Sequence, residues 1–200
     1  MRGIGIYVFD DVEVLDFAGP FEVFSVASRV AARLDVHASP PFEVFTVSAS
    51  GEPVTARGGL VVTPGHSFSD HPAIDVLIVP GGVMDAVLAR PEVVEWVTTR
   101  SRGAELTASV CTGAFLLGRA GLLGGKKVTT HWEDAADLRA ALPETDVVEG
   151  VKWVDEGDVV TSAGISAGID MCLHLVTRFL GEGMAVATAR QMDYRWEPDS

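Results

Sequence analysis

The chain has 200 residues, 48% hydrophobic and 22% charged, with a formal net charge of −13 and a pI near 4.6. That is enough for one ordinary domain over 1–200 with a sizeable core. The acidic balance excludes a surface built to hold nucleic-acid phosphate, and no apolar run approaches the ~20 residues of a membrane helix, so neither nucleic acid nor membrane is an expected partner.

Residues 3–9 form a continuous apolar run, the pattern of a strand buried on both faces. No cleavable signal pattern precedes it, which sets the cytoplasm as the expected location, with Cys111 and Cys172 both reduced there. Asp10 and Asp11 end the strand. Pro20 suits the first turn of a helix predicted to reach about residue 34, with Phe21, Phe24, Ala27 and Ala31 on one face. Asp16 then falls in the strand-to-helix connection, either as a helix-capping acid or as a carboxyl group at the carboxyl edge of the sheet.

A second strand is predicted at 42–48, a small hairpin from 54–55 and 60–62, and a loop over 63–73. The strongest strand pattern, 75–79, ends in Pro80-Gly81-Gly82. Residues 84–102 read as helix, with Pro91 opening the second piece and Gly103 as the stop. A short buried strand then runs into Cys111-Thr112-Gly113, and a helix follows from Ala114 to closure at Gly121. Farther on, a strand at 127–130 ends at His131, and a helix spans 133–142. Short strands at 147–148, 151–154 and 159–161 surround a turn at 155–158. A loop at 162–166 ends in Ser166 as an N-cap for a helix over 167–180, with Ile169, Leu173, Val176 and Leu180 inward, and a last helix covers 182–194. Strand and helix alternate throughout, so the predicted fold is a three-layer α/β sandwich: a mostly parallel, flavodoxin-like sheet with helices on both faces.

In such sheets ligands bind beyond the carboxyl ends of the strands, where Asp16, Gly81-Gly82, Cys111-Thr112-Gly113 and Gly164-Ile165-Ser166 should gather. A cysteine at a corner between strand and helix, a nucleophile-elbow position, sits where helix-start N–H groups favour the thiolate. The alternative is a small buried hydrophobe. A neighbouring ionised Asp16 would oppose thiolate formation, and the two would titrate as a coupled pair. Gly81 and Gly82 would let backbone N–H groups approach developing negative charge, or simply make a tight turn. His131 reads either as a group that orients a proton on the thiol or as a helix-start residue. His37, His66 and His71 have no metal-ligand spacing, His174 reads as a local pair with Asp170, and Cys172 reads as core. The chain has no metal- or nucleotide-binding pattern, so no cofactor is expected.

Taken together, Leu15-Asp16-Phe17-Ala18-Gly19-Pro20, Val79-Pro80-Gly81-Gly82, Ser109-Val110-Cys111-Thr112-Gly113-Ala114, Thr129-Thr130-His131-Trp132 and Thr161-Ser162-Ala163-Gly164-Ile165-Ser166 resemble the ThiJ/PfpI superfamily, which is class I glutamine-amidotransferase-like, over nearly the whole chain. Within it the chain is similar to the isonitrile hydratases and to the sensor-like domain of AraC-type regulators. The hydratase resemblance implies a cofactor-free lyase and homodimer acting on a small organic isonitrile. Cys111 would be the nucleophile, Asp16 the acid and base, and Thr112 a neighbouring catalytic-site residue; Gly81, Gly82, Gly113 and Ile165, at the same edge, are candidate oxyanion, backbone or substrate-binding positions. Apolar side chains would suit the organic substituent. Protease and deglycase-like members carry His after the cysteine and Glu at the acid position, whereas this chain has Thr112 and Asp16. A non-catalytic ligand or redox sensor and a stress-related chaperone or deglycase are the alternatives, although 200 residues are expected to leave no room for a DNA-binding module. The tail Asp193-Tyr194-Arg195-Trp196-Glu197-Pro198 departs from the pattern of relatives.

Overall fold

The sheet forms where fully buried residues concentrate. The computed structural model describes residues 1–35, 37 and 39–197; Pro198 of the divergent tail lies outside them. The first half contains β1 (Arg2–Tyr7), α1 (Val14–Leu34), β2 (Phe42–Ser48), β3 (Val54–Thr55), β4 (Val61–Val62), β5 (His66–Ser67) and β6 (Val76–Val79). It continues through α2 (Asp85–Leu88), α3 (Pro91–Gly103), β7 (Leu106–Val110) and α4 (Gly113–Arg119). The remainder holds β8 (Lys127–Val128), α5 (Ala135–Ala141), β9 (Asp146–Val147), β10 (Trp153–Asp155), β11 (Val159–Ser162), α6 (Ala167–Leu180) and α7 (Glu182–Gln191).

Seven strands make the central sheet in the order β10-β11-β7-β6-β1-β2-β5. All neighbours are parallel except the edge pair β10 and β11. Every residue of β6, β7 and β11 is buried, as a sheet covered on both faces requires. The connection from β1 to β2 moves one way across the sheet and that from β6 to β7 the other. Right-handed crossovers therefore place α1 and α3 on opposite faces. Helices α1, α6 and α7 pack together, and α2, α3 and α4 form the other layer. The direction of winding reverses between β1 and β6, which makes a crevice at their carboxyl ends. Register aligns Val79 with Ser109 and Val110 with Ser162, so the residues after β6, β7 and β11 emerge at one edge.

Several boundaries differ from the sequence expectation. Helix α1 starts at Val14, so Asp16 lies in its first turn and Pro20 inside it. Pro20 has no N–H to give the Asp16 carbonyl, a loss that ordinarily costs ~3 kcal/mol in a helix interior. Bonds from distant residues fix the earlier start: Val12 bridges Gly82, Glu13 N–H donates to the Gly81 carbonyl at 2.9 Å, and Val83 N–H donates to the Asp11 carbonyl at 3.1 Å. Phe24 and Ala27 face inward, but Val23 and Val30 complete that face; Phe21 is 38% exposed. The predicted loop at 63–73 contains the edge strand β5, held by pairing with β2. Only residues 127–128 of the predicted strand at 127–130 pair, with β9, in a separate two-stranded sheet. Of the predicted inward face of α6, Leu173 and Val176 are buried. His174 pairs with Asp155 at 2.6 Å and not with Asp170, which is taken by Lys152 at 3.2 Å and the Tyr194 hydroxyl at 2.7 Å. Cys172 is fully buried, and both cysteines are free thiols.

Candidate active site

Cys111 and Thr112 alone connect β7 to α4, with Cys111 at the corner. Its φ is +56°, a left-handed conformation that a non-glycine side chain adopts at a cost of order 1–3 kcal/mol. Neighbours hold it there. The Cys111 N–H donates to the carbonyls of Ser162 (3.2 Å) and Ala163 (3.3 Å), and the Thr130 hydroxyl donates to the Cys111 carbonyl at 2.8 Å. The helix can start this abruptly because position 113 is glycine: a Cβ there would collide with the carbonyls of Val79 and Pro80. Ile165, after β11, has φ +54°, and its backbone N–H and that of Thr112 face the thiol.

Asp16 meets Cys111 from the first turn of α1. It is fully buried, and Oδ2 accepts the Gly81 N–H at 3.1 Å. It is thus no helix cap: Glu13 holds the N-cap position, and the Asp16 carboxyl is turned into the site. The thiol of Cys111 and the N–H of Ile165 lie close enough to favour the carboxylate, yet Oδ1 makes no hydrogen bond of ordinary geometry. Burial pushes the Asp16 carboxyl up to about 7 despite the Gly81 bond, and the Glu13 charge adds to the rise. Burial also pushes the Cys111 thiol up to about 12, reinforced by the adjacent Asp16 carboxylate, while the Thr112 and Ile165 N–H groups pull weakly downward. The expectation of a thiolate favoured by its corner is therefore reversed in the resting protein. The N-terminus of the seven-residue helix α4 does not outweigh desolvation plus a like charge.

The two glycines after β6 also act differently from the expectation. The Gly81 N–H is spent on Asp16, and the Gly82 N–H donates to Thr112 Oγ1 at 2.9 Å, whose hydroxyl donates back to the Gly82 carbonyl at 3.0 Å. Both N–H groups orient the site residues, leaving neither as a free donor to a developing anion. Their smallness is required nonetheless. A Cβ on Gly81 would lie 2.5 Å from Thr112 Oγ1, 2.6 Å from its N and 3.0 Å from Asp16 Oδ2.

A cavity of about 420 Å³ opens on Cys111. Besides Cys111, Thr112, Gly82, Ile165 and His131, it is lined by Glu13, Arg57, Glu133 and Asp134. The lining is charged, where apolar side chains were expected, because the hairpin carrying Arg57 and the turn after His131 both bring polar residues to the rim. Arg57 pairs with Glu13 at 3.2 Å. His131 is the N-cap of the short turn at 132–134: its Nδ1 accepts the Glu133 N–H at 3.4 Å and lies 3.4 Å from Asp134 Oδ2. The imidazole packs over Gly164, where a Cβ would strike the ring. That is the helix-start reading of His131, on a residue that also faces the cavity. Sequence reasoning brought together Asp16, Gly81, Gly82, Cys111, Thr112, Gly113 and Ile165, and all seven meet at this edge. It missed Glu13, Arg57, Thr130, Glu133 and Asp134; only Glu13, one helical turn before Asp16, carried a usable signal.

A parallel α/β sandwich with a cysteine in a left-handed corner and a buried acid from the first helix defines a recognisable class. The DJ-1/PfpI family profile matches residues 2–178, and the chain belongs to that family. The chain is 33% identical to isonitrile hydratase of Pseudomonas putida over 198 residues, covering 98% of this chain and 79% of the relative. It is 30% identical over 193 residues to the HTH-type transcriptional regulator GbdR of Pseudomonas aeruginosa, 96% of this chain but 51% of the regulator, so it spans about half the length of that relative. Among solved structures, a ThiJ/PfpI family protein from Pseudomonas syringae superposes with a TM-score of 0.83 at 27% identity, over all of this chain and 77% of the other.

Proposed function

We propose that this chain is an isonitrile hydratase-like lyase that adds water to an isonitrile and releases an N-substituted formamide. The observation that carries the reading is the fully buried Asp16 carboxyl beside Cys111, with Oδ2 fixed by Gly81 and Oδ1 left for a proton in transit. The similarity to an isonitrile hydratase over nearly the whole chain supports it.

The reaction balances with these two groups. Cys111 sulfur bonds the terminal isonitrile carbon while the thiol proton passes through Asp16 to that same carbon, giving a thioimidate. Asp16, now a carboxylate, takes a proton from a water whose oxygen attacks that carbon and passes the proton to the nitrogen, leaving a hydroxyl and sulfur on the tetrahedral carbon. Collapse breaks the carbon–sulfur bond, forms the formamide and returns the proton to Cys111. Since the resting thiol is protonated, bond formation to sulfur and transfer of its proton proceed together, and a carboxyl group titrating at about 7 suits both directions of transfer.

The test is incubation with cyclohexyl isocyanide in water labelled with heavy oxygen. Formamide carrying one labelled oxygen supports hydration; no formamide from this or other simple isonitriles overturns it. A second reading, a ligand-sensing domain, is carried by the similarity to a transcriptional regulator. Saturable isonitrile binding without product would favour it.

A further inference from the structure

The cavity over Cys111 is charged, and its charge is unbalanced. Three carboxylates line it against one guanidinium and one imidazole: Arg57 answers Glu13 at 3.2 Å, and the His131 Nδ1 lies 3.8 Å from Glu133 Oε2 and 3.4 Å from Asp134 Oδ2, in a protein with formal net charge −13 when histidine is counted neutral. Among the described residues, the one sizeable aliphatic side chain on the lining is Ile165. A cavity for a plain alkyl or aryl group would present the reverse, since ligand sites are lined mainly by apolar side chains with few polar groups. The acids do not converge as a metal-binding cluster among the described residues. They are spread around a space large enough for a small organic molecule. A second feature lies behind the same wall: Asp16, fully buried and not itself on the lining, has an Oδ1 with no hydrogen bond of ordinary geometry and turns its carboxyl to Cys111 and Ile165, both on the cavity wall.

We infer that the ligand of this cavity is an isonitrile whose substituent carries a positive charge, an ammonium group held at the mouth by Glu133 and Asp134 while the isonitrile carbon meets Cys111. The isonitrile half of this statement rests on the proposed function; the charge rests on the cavity lining. The field of these acids reaches the reacting groups: Asp134 raises the Cys111 thiol and Glu13 raises the Asp16 carboxyl. A cation in the mouth offsets both effects and eases formation of negative charge on sulfur only when substrate is bound. A neutral substrate fills the same space without that relief.

Two measurements on the full chain separate the two halves. The first uses Cys111 as a probe, independent of turnover; Cys172 is fully buried and silent. Alkyl methanethiosulfonates form a mixed disulfide with the thiol and release methanesulfinate. The rate with the trimethylammonioethyl reagent is compared with those of neutral ethyl and anionic sulfonatoethyl reagents, each normalised to mercaptoethanol. The inference expects the cationic reagent to be faster than the neutral one by about tenfold, as for a steered encounter. The gain should collapse in 1 M salt, where the Debye length shrinks to about 3 Å. Substituting Glu133→Gln together with Asp134→Asn should reduce the ratio toward one, and the salt result on the unaltered protein stands if that variant fails to fold. The second compares kcat/KM for trimethylammonioethyl isocyanide and its isostere with carbon in place of nitrogen, with the cation favoured about tenfold. Cationic and neutral thiol reagents reacting equally overturns the inference whatever the turnover result. Turnover of both isonitriles with the neutral one preferred also overturns it and leaves the hydratase reading intact. No turnover of either overturns the hydratase reading, and with it the isonitrile half of the inference, while the thiol reagents still decide the charge.

Discussion

Replacing Asp16 by Asn should abolish catalysis and stabilise the fold, and the stabilisation should depend on pH in a defined direction. Asp16 is fully buried, and its carboxyl is raised from an ordinary value near 3.8 to about 7, mainly by desolvation. A carboxyl raised on folding favours the folded state most below its unfolded value. That contribution is lost as pH climbs from about 4 through 7, because the unfolded chain ionises first. The three-decade rise corresponds to a ceiling of about 4 kcal/mol between the ends of that window. Asn cannot ionise, and its side-chain oxygen can still accept the Gly81 N–H. At pH 8 the Asn protein should therefore exceed wild type by on the order of 2–4 kcal/mol, which for a chain of this size is roughly 4–16 °C in Tm. At pH 4 the two should unfold within about 1 kcal/mol of each other. Urea or thermal unfolding of both proteins across this range makes the measurement. A variant less stable than wild type by the same amount at every pH would refute the reasoning, since it would mean that Asp16 contributes a structural bond and carries no ionisation penalty.

Other outcomes follow from the same geometry. Gly81→Ala should leave helix and strand content unchanged by circular dichroism but lower formamide production by about 100-fold, because its Cβ forces Thr112 and Asp16 apart by a fraction of an ångström to an ångström. Alkylation of Cys111 by iodoacetamide should keep rising with pH beyond 10, as expected for a thiol pushed up to about 12, and should shift to lower pH in Asp16→Asn; a plateau below 9 in wild type would contradict the assigned environment. Tyr194→Phe removes the 2.7 Å bond to the buried Asp170 and should cost about 1–3 kcal/mol in urea unfolding, and an unchanged midpoint would show that the tail contact contributes nothing.

The layers of the fold were legible because strand-length apolar runs alternate with helix-length amphipathic ones, and punctuation by Pro80-Gly81-Gly82 and Gly121 marks their ends. The meeting of Asp16, Cys111 and Ile165 followed from one rule, that the ends of parallel strands share an edge. What the sequence did not reveal depends on partners far along the chain. Pro20 argued locally for a helix start, and only the pairing of residues 11–13 with 81–83 moves that start six residues earlier. The partner of His174 lies on β10, not one turn away on its own helix. Arg57 reaches the cavity from a hairpin whose sequence gives no hint of its destination. Which of two opposing influences on the Cys111 thiol prevails, the helix-start N–H groups or the Asp16 charge, was also hidden, since it is decided by how deeply the pair is buried, and burial of a polar pair has no periodic signature.

The most direct test is steady-state formamide production from cyclohexyl isocyanide by wild type, Cys111→Ala and Asp16→Asn at neutral pH. Turnover by wild type, with both variants reduced at least about 1,000-fold while still folded, is the predicted result for a nucleophile and its acid–base partner acting as one unit. Wild-type turnover that survives in Cys111→Ala would contradict the assignment of the reaction to this cysteine.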